Sequence, residues 1–180
     1  MAFTVDHSQA SEGTDLLPEG DYEVIIKYAS ENATKGGTMY INVVCVLRND
    51  VDQKFKNKYL WYSIWQKKAP TPADLNCGGY SSKQIQNLSK AVGLLDGKKY
   101  ETIADWCNDL KNHIFRATVE HEEYKGQTNA RVKWVNESKF PDCRHIWKGA
   151  DDITKDPEPA AAQQHNEKFE EIPTDDDLPF

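Results

Sequence analysis

The sequence predicts a mainly β domain, a five-stranded barrel with a helical insert between strands 3 and 4, followed by a disordered acidic C-terminal tail. Three observations predict it. Five segments between residues 21 and 136 have strand character, two segments with helical spacing fall between the third and the fourth, and beyond Gly149 the chain turns rich in Pro, Ala, Gln and acidic residues. At 180 residues there is room for one core, since about 150 residues bury roughly two-thirds of the surface of the unfolded chain. The expected division is one domain over 1–149, of which 1–20 is an N-terminal arm, and a tail over 150–180.

The first strand, 21–28, opens after Pro18-Glu19-Gly20 and alternates Tyr22, Val24, Ile26 and Tyr28 against Glu23 and Lys27. The second, 38–48, is β-branched and apolar on both sides, as a strand buried on both faces must be. In the third, 58–65, Leu60 and Ile64 share one face while Tyr59, Trp61, Ser63 and Trp65 share the other. A loop over 69–79 leads to Ser81-Ser82-Lys83-Gln84, which has the form of a capping box; Ile85, Leu88 and Val92 then recur at helical spacing until Gly93. Residues 102–110 read as a second short helix through Ile103, Trp106, Cys107 and Leu110. The last two strands are 112–120, with Phe115, Ala117 and Val119 inward, and 128–136, with Ala130, Val132 and Trp134 inward, joined by a hairpin at Tyr124-Lys125-Gly126. Three strands, a helical insert and two strands is the order of the OB-fold, a partly open Greek-key barrel. The tail has too few large apolar residues to offset the entropy of ordering it.

Charge divides the chain in the same way. Residues 151–180 carry ten acidic side chains against Lys155 and Lys168, a net charge of −8, whereas residues 21–150 carry a net charge of +5. A mildly basic body with acidic ends points to a polyanion as ligand. The first twenty residues contain no Lys or Arg and no apolar core of a signal peptide, and no apolar run is long enough to span a bilayer. Cys45, Cys77, Cys107 and Cys143 are far apart without a Cys-x-x-Cys spacing, so they are read as reduced thiols of a cytoplasmic protein. Cys143 and His145 could join Cys77 or His121 on a metal, but the spacing does not require it, and no metal or cofactor is expected.

A binder of single strands needs aromatic faces for the bases and cations for the phosphates. Lys54, Lys56, Lys58, Lys67 and Lys68 occur together with Tyr59, Trp61 and Trp65, and no acidic residue lies among them. Either the two Trp face nucleic acid, or they face the core and Leu60 and Ile64 pack under the helices. Arg116, Arg131 and Lys133, opposite the apolar residues of their strands, would extend a basic groove. Lys35 and Tyr40 beside the first hairpin, and Tyr124 and Lys125 at the second, fall in the loops that grip oligonucleotides in this fold. The body has no Gly-rich phosphate loop and no nucleophile motif, which argues against an enzyme.

The chain ends in Asp175-Asp176-Asp177-Leu178-Pro179-Phe180. This resembles the acidic tip of bacterial single-stranded DNA-binding proteins, with Leu178 where that family has Ile. The resemblance implies that Phe180 and its carboxylate dock on replication and repair enzymes while the Asp run meets a basic rim. The body, over roughly residues 1–141, resembles a family of bacteriophage proteins of unknown function. The matching segments are Met1-Ala2-Phe3-Thr4-Val5-Asp6, Leu17-Pro18-Glu19-Gly20-Asp21-Tyr22-Glu23-Val24, Leu47-Arg48-Asn49-Asp50-Val51, Asn129-Ala130-Arg131-Val132-Lys133 and Asn136-Glu137-Ser138. Together they imply a phage protein that coats single-stranded DNA in the cytoplasm of an infected host and recruits phage or host replication and recombination proteins, with homo-oligomers possible. The alternative is an adaptor of the same machinery that uses its acidic tail as a DNA mimic.

Overall fold

A computed structural model describes residues 16–148. Eight elements follow in chain order: β1 (Gly20–Ala33), β2 (Met39–Leu47), β3 (Tyr59–Trp65), α1 (Pro72–Leu75), α2 (Ser82–Ala91), α3 (Ile103–Asp109), β4 (Ile114–Tyr124) and β5 (Gln127–Asn136). The tail and most of the N-terminal arm, with the expectations attached to them, lie outside the described residues.

The five strands form one antiparallel sheet in the order β3-β2-β1-β4-β5. β3 and β5 approach one another, but no pairing joins them among the described residues, so the sheet is not closed into the expected barrel. The helical insert completes the enclosure of the core instead. α2 lies against β5 and α3 against β1, and Ile85, Leu88, Ala91, Val92, Trp106, Cys107 and Leu110 join the core built by the inner faces of the strands. Burial of this apolar surface is the main force holding the layers together.

β1 is longer than its alternation predicts, because it continues through a β-bulge. Ile26 pairs with Cys45 and Tyr28 with Val44, leaving Lys27 as the extra residue. Before the bulge Tyr22, Val24 and Ile26 point inward; after it Ala29 does. A bulge also bends a strand, and β1 uses Gly20–Ile25 to pair with β4 and Val24–Ala33 to pair with β2. β2 is buried on both faces as predicted, with Ile41, Val43, Cys45 and Leu47 in the core and Tyr40, Asn42, Val44 and Val46 on the other side.

The loop expected over 69–79 contains the short helix α1, capped reciprocally by Thr71 and Asp74. α3 has the same reciprocal cap from Thr102 and Asp105. At α2 only half of the expected box forms. The Ser81 hydroxyl accepts from the Gln84 N–H at 3.4 Å, while the Gln84 side chain donates to the Tyr62 hydroxyl at 3.3 Å. Gly93, at φ +77°, ends α2 in the left-handed conformation that lacks a penalty only for glycine.

Between β5 and residue 148 the chain has no regular structure, yet it is fastened across the end of β2. The Arg48 side chain, fully buried, donates to the carbonyls of Phe140 and Asp142 at 2.7 and 2.9 Å and to the Ser138 hydroxyl at 3.2 Å. Asn49 and Asp50 hold residues 144–146 through the N–H of Arg144, the N–H and carbonyl of Ile146 and the ring of His145. The buried Glu23 carboxylate accepts from the Ser138 hydroxyl at 2.6 Å and the Lys139 N–H at 3.1 Å. Among the described residues, no helix is long and apolar enough to cross a membrane.

Candidate nucleic-acid interface

Register fixes which side chains stand on the sheet face away from the core. Leu60, Tyr62 and Ile64 are buried in the core, so Tyr59, Trp61, Ser63 and Trp65 point outward. They pair across β2 with Val46, Val44, Asn42 and Tyr40, which in turn pair across β1 with Ile25, Tyr28, Ser30 and Asn32. The two Trp side chains are therefore on the outer face, half-buried, while Leu60 and Ile64 belong to the core.

The rings on this face are ordered against each other. Tyr40 and Trp65 stack with centroids 4.7 Å apart at 29°, and Tyr59 and Trp61 lie 6.1 Å apart at 23°. Lys27 donates from Nζ to the Tyr59 hydroxyl at 2.7 Å and stands 5.1 Å from the centre of that ring. Tyr40, expected beside a loop, is instead 8 % exposed and forms part of the floor. The result is two flat aromatic stations with the polar row Ser30–Asn42–Ser63 between them.

Lysines stand at both ends of β3. Lys54 and Lys56 are exposed in the loop before it, and Lys58 lies 5.8 Å from the Phe55 ring. That loop is rigidly placed: Gln53 exchanges hydrogen bonds with both backbone groups of Glu23 and with the Arg48 carbonyl, and Asn49 donates to Asn57 at 2.9 Å. After β3, Lys68 is exposed, whereas Lys67 is drawn to Asp74 at 2.9 Å. The backbone N–H groups of Ser82 and Thr71, and then Lys67, hold the Asp74 carboxyl well below the usual carboxylate range. Lys35 is exposed in the β1–β2 turn.

The cations expected to extend the basic groove over β4 and β5 are paired with carboxylates. Arg116 pairs with Asp21, Arg131 with Glu122 at 2.7 Å and Lys133 with Glu120 at 2.6 Å, so each cation is balanced by a carboxylate on the same or the neighbouring strand. Tyr124 and Lys125 sit exposed at the hairpin tip, the ammonium 5.3 Å from the ring centre. Trp134 does not face inward. Thr118 pairs with Trp134 and Val119 with Val132, so Lys133 is an extra residue that reverses the alternation and leaves Trp134 57 % exposed.

The two histidines considered for a metal have other partners. His121 Nε2 is 2.8 Å from the Leu17 carbonyl, and His145 Nδ1 accepts from the Asn49 N–H at 3.2 Å. Among the described residues no three His, Cys, Asp or Glu side chains converge. Residues 175–180 lie outside the described residues.

A family model described as "Protein of unknown function (DUF669)" matches residues 3–143. The chain belongs to the DUF669 family. No curated protein matches the sequence. The DUF669 region takes in the whole sheet, the helical insert and the first half of the fastened segment that follows β5. Lys27, Tyr28 and Asn42 also contribute to the outer face of this DUF669 chain but were not picked out by the sequence. The bulge at Lys27 hides which side Tyr28 takes, and Asn42 reads as one polar residue in an apolar run.

Proposed function

We propose that this DUF669 protein is a non-catalytic single-stranded DNA-binding protein of a bacteriophage, and that bases stack on the outer face of β1–β3. It acts in the cytoplasm of the infected host during replication or recombination and recruits partner enzymes through Asp175–Phe180. The observation that carries the proposal is the pair of stacked stations, Tyr59–Trp61 and Tyr40–Trp65, bracketed by Lys54, Lys56 and Lys58 at one end and Lys35 and Lys68 at the other. Large aromatic rings on the solvent side of a strand, set among cations, offer every base a face and every phosphate a counter-charge. The sheet order, with β1 central and the edges β3 and β5 approaching, supports an OB-type barrel left open at that seam, a fold whose strand 2–3 face binds oligonucleotides.

Titrating the intrinsic Trp fluorescence with oligo(dT) tests the proposal. Quenching should saturate, duplex of equal length should bind more weakly, and log affinity should fall with log salt by about 0.7 per phosphate contacted. Binding insensitive to salt, or a preference for duplex, would refute it and favour the adaptor alternative.

A further inference from the structure

Two buried polar atoms on the outer face lack a hydrogen-bond partner among the described residues: Oδ1 of Asn42, an acceptor, and Nε1 of Trp61, a donor. Asn42 is 3 % exposed and sits in the middle of β2, paired with Ser30 on one side and Ser63 on the other. Trp61 pairs with Val44, two residues along, so the two orphans belong to diagonal neighbours on one face, a separation that a long side chain bridges. Buried polar groups are almost always satisfied, and each exception asks for a cause. A valine at position 42 would suit a doubly buried strand better and would leave nothing unpaired.

The polar row separates the Tyr59–Trp61 station from the Tyr40–Trp65 station. A base held near either stack therefore has its edge within the span of the row. We infer that Asn42 and Trp61 read a nucleobase edge, the amide oxygen taking an N–H donor of the base and the indole N–H meeting an adjacent acceptor. This rests on the DNA-binding reading and adds to it hydrogen bonds to a base edge at the polar row between the two stacking stations. Both atoms are closed off from solvent in the free protein, so a base reaches them as neighbouring side chains turn aside, and the Trp61 indole reports the event.

The probe is oligo(dT) against an equal-length oligomer of N3-methylthymidine, which keeps the phosphates and the ring face but lacks the N3–H donor. The full-length protein should bind oligo(dT) about tenfold more tightly, the ratio expected when a buried acceptor is left unpaired. Its Trp61 indole N–H resonance, identified by its loss in Trp61→Phe, should move downfield on binding. Asn42→Val should bring the two affinities within about twofold of each other and raise the melting temperature of the DNA-free protein. If that variant does not fold, the comparison on the unaltered protein and the Trp61 resonance still decide. Equal affinities with an unmoved resonance would overturn the inference while leaving stacking intact. An unchanged ratio in folded Asn42→Val would overturn it too, because the methyl group would then be rejected elsewhere. No binding of either oligomer at low salt would remove the DNA-binding proposal itself, and the inference with it.

Discussion

The guanidinium of Arg48 forks onto the carboxylate of Asp50, Nε to Oδ1 at 2.9 Å and Nη2 to Oδ2 at 2.6 Å. Two planar groups meeting along two parallel bonds fix orientation as well as distance. The remaining donors of Arg48 go to the segment after β5, so a single ion pair organises the end of β2, the lysine-bearing loop and the departing chain.

Arg48→Met should destabilise the domain by about 3–5 kcal/mol, the usual cost of leaving one member of a buried pair alone. Here the carbonyls of Phe140 and Asp142 also lose their donor. Urea denaturation at neutral pH measures the effect. A change under about 1 kcal/mol would mean that water replaces the guanidinium without penalty.

Acid should act through the same pair. The Arg48 hydrogen bonds, opposed by burial and assisted by the Arg144 N–H, lower the Asp50 carboxyl from 3.8 to about 2. A depressed carboxylate contributes stability that is fully present above its unfolded value and is lost as pH falls through the folded one. Stability should therefore decline between about pH 4 and pH 2, and Asp50→Asn, already weakened at pH 7, should show a flatter decline over that window.

Trp61→Ala and Trp65→Ala should each weaken oligo(dT) binding by about 1–3 kcal/mol per lost stack, with little change in melting temperature, because both rings stand outside the core. Leu60→Ala, one residue away and facing inward, should instead destabilise the fold by about 2–5 kcal/mol. The opposite assignment of the two effects would place the interface elsewhere.

Cations at the ends of β3 should differ from those on β4 and β5. Removing both Lys54 and Lys56 as Gln should reduce the salt slope by about 1.4, or 0.7 for each lost phosphate contact. Replacing Arg131 and Lys133, already paired with Glu122 and Glu120, should leave the slope near that of the unaltered protein. A similar drop in both double variants would show that phosphate displaces the carboxylates.

The tip should act independently of the groove. Deleting Phe180 removes the apolar anchor of the terminal motif, so capture of a replication protein from infected-cell lysate should be lost while affinity for oligo(dT) is kept. Identical partners with and without Phe180 would reduce the tail to a solubilising extension.

Much of the sheet was legible because period-2 alternation names a face directly. It placed Leu60 and Ile64 opposite Trp61 and Trp65, and Phe115, Ala117 and Val119 inward. It failed where one residue was inserted. Lys27 and Lys133 each reset the count, so the true extent of β1 and the outward turn of Trp134 could not be read from spacing. The lysine cluster was legible as composition, but whether a cation is spent on a neighbour depends on register, and the ion pairs of Arg116, Arg131 and Lys133 could not be read from spacing. The role of Arg48 was hidden because all its side-chain partners but Asp50 lie 90 residues or more further along the chain.

The fastened segment after β5 also decides where this protein can be cut. The family match ends at Cys143, but Arg144, His145 and Ile146 still bond to Asn49 and Asp50. A protease working inward from the C-terminus should therefore stall beyond Ile146, and a chain shortened to end at Cys143 should be a poorer substrate for crystallisation and a better one for proteolysis than one ending at Lys148. The practical edge of the domain is set by Arg48 and its neighbours, about a hundred residues upstream of the place where the chain is cut.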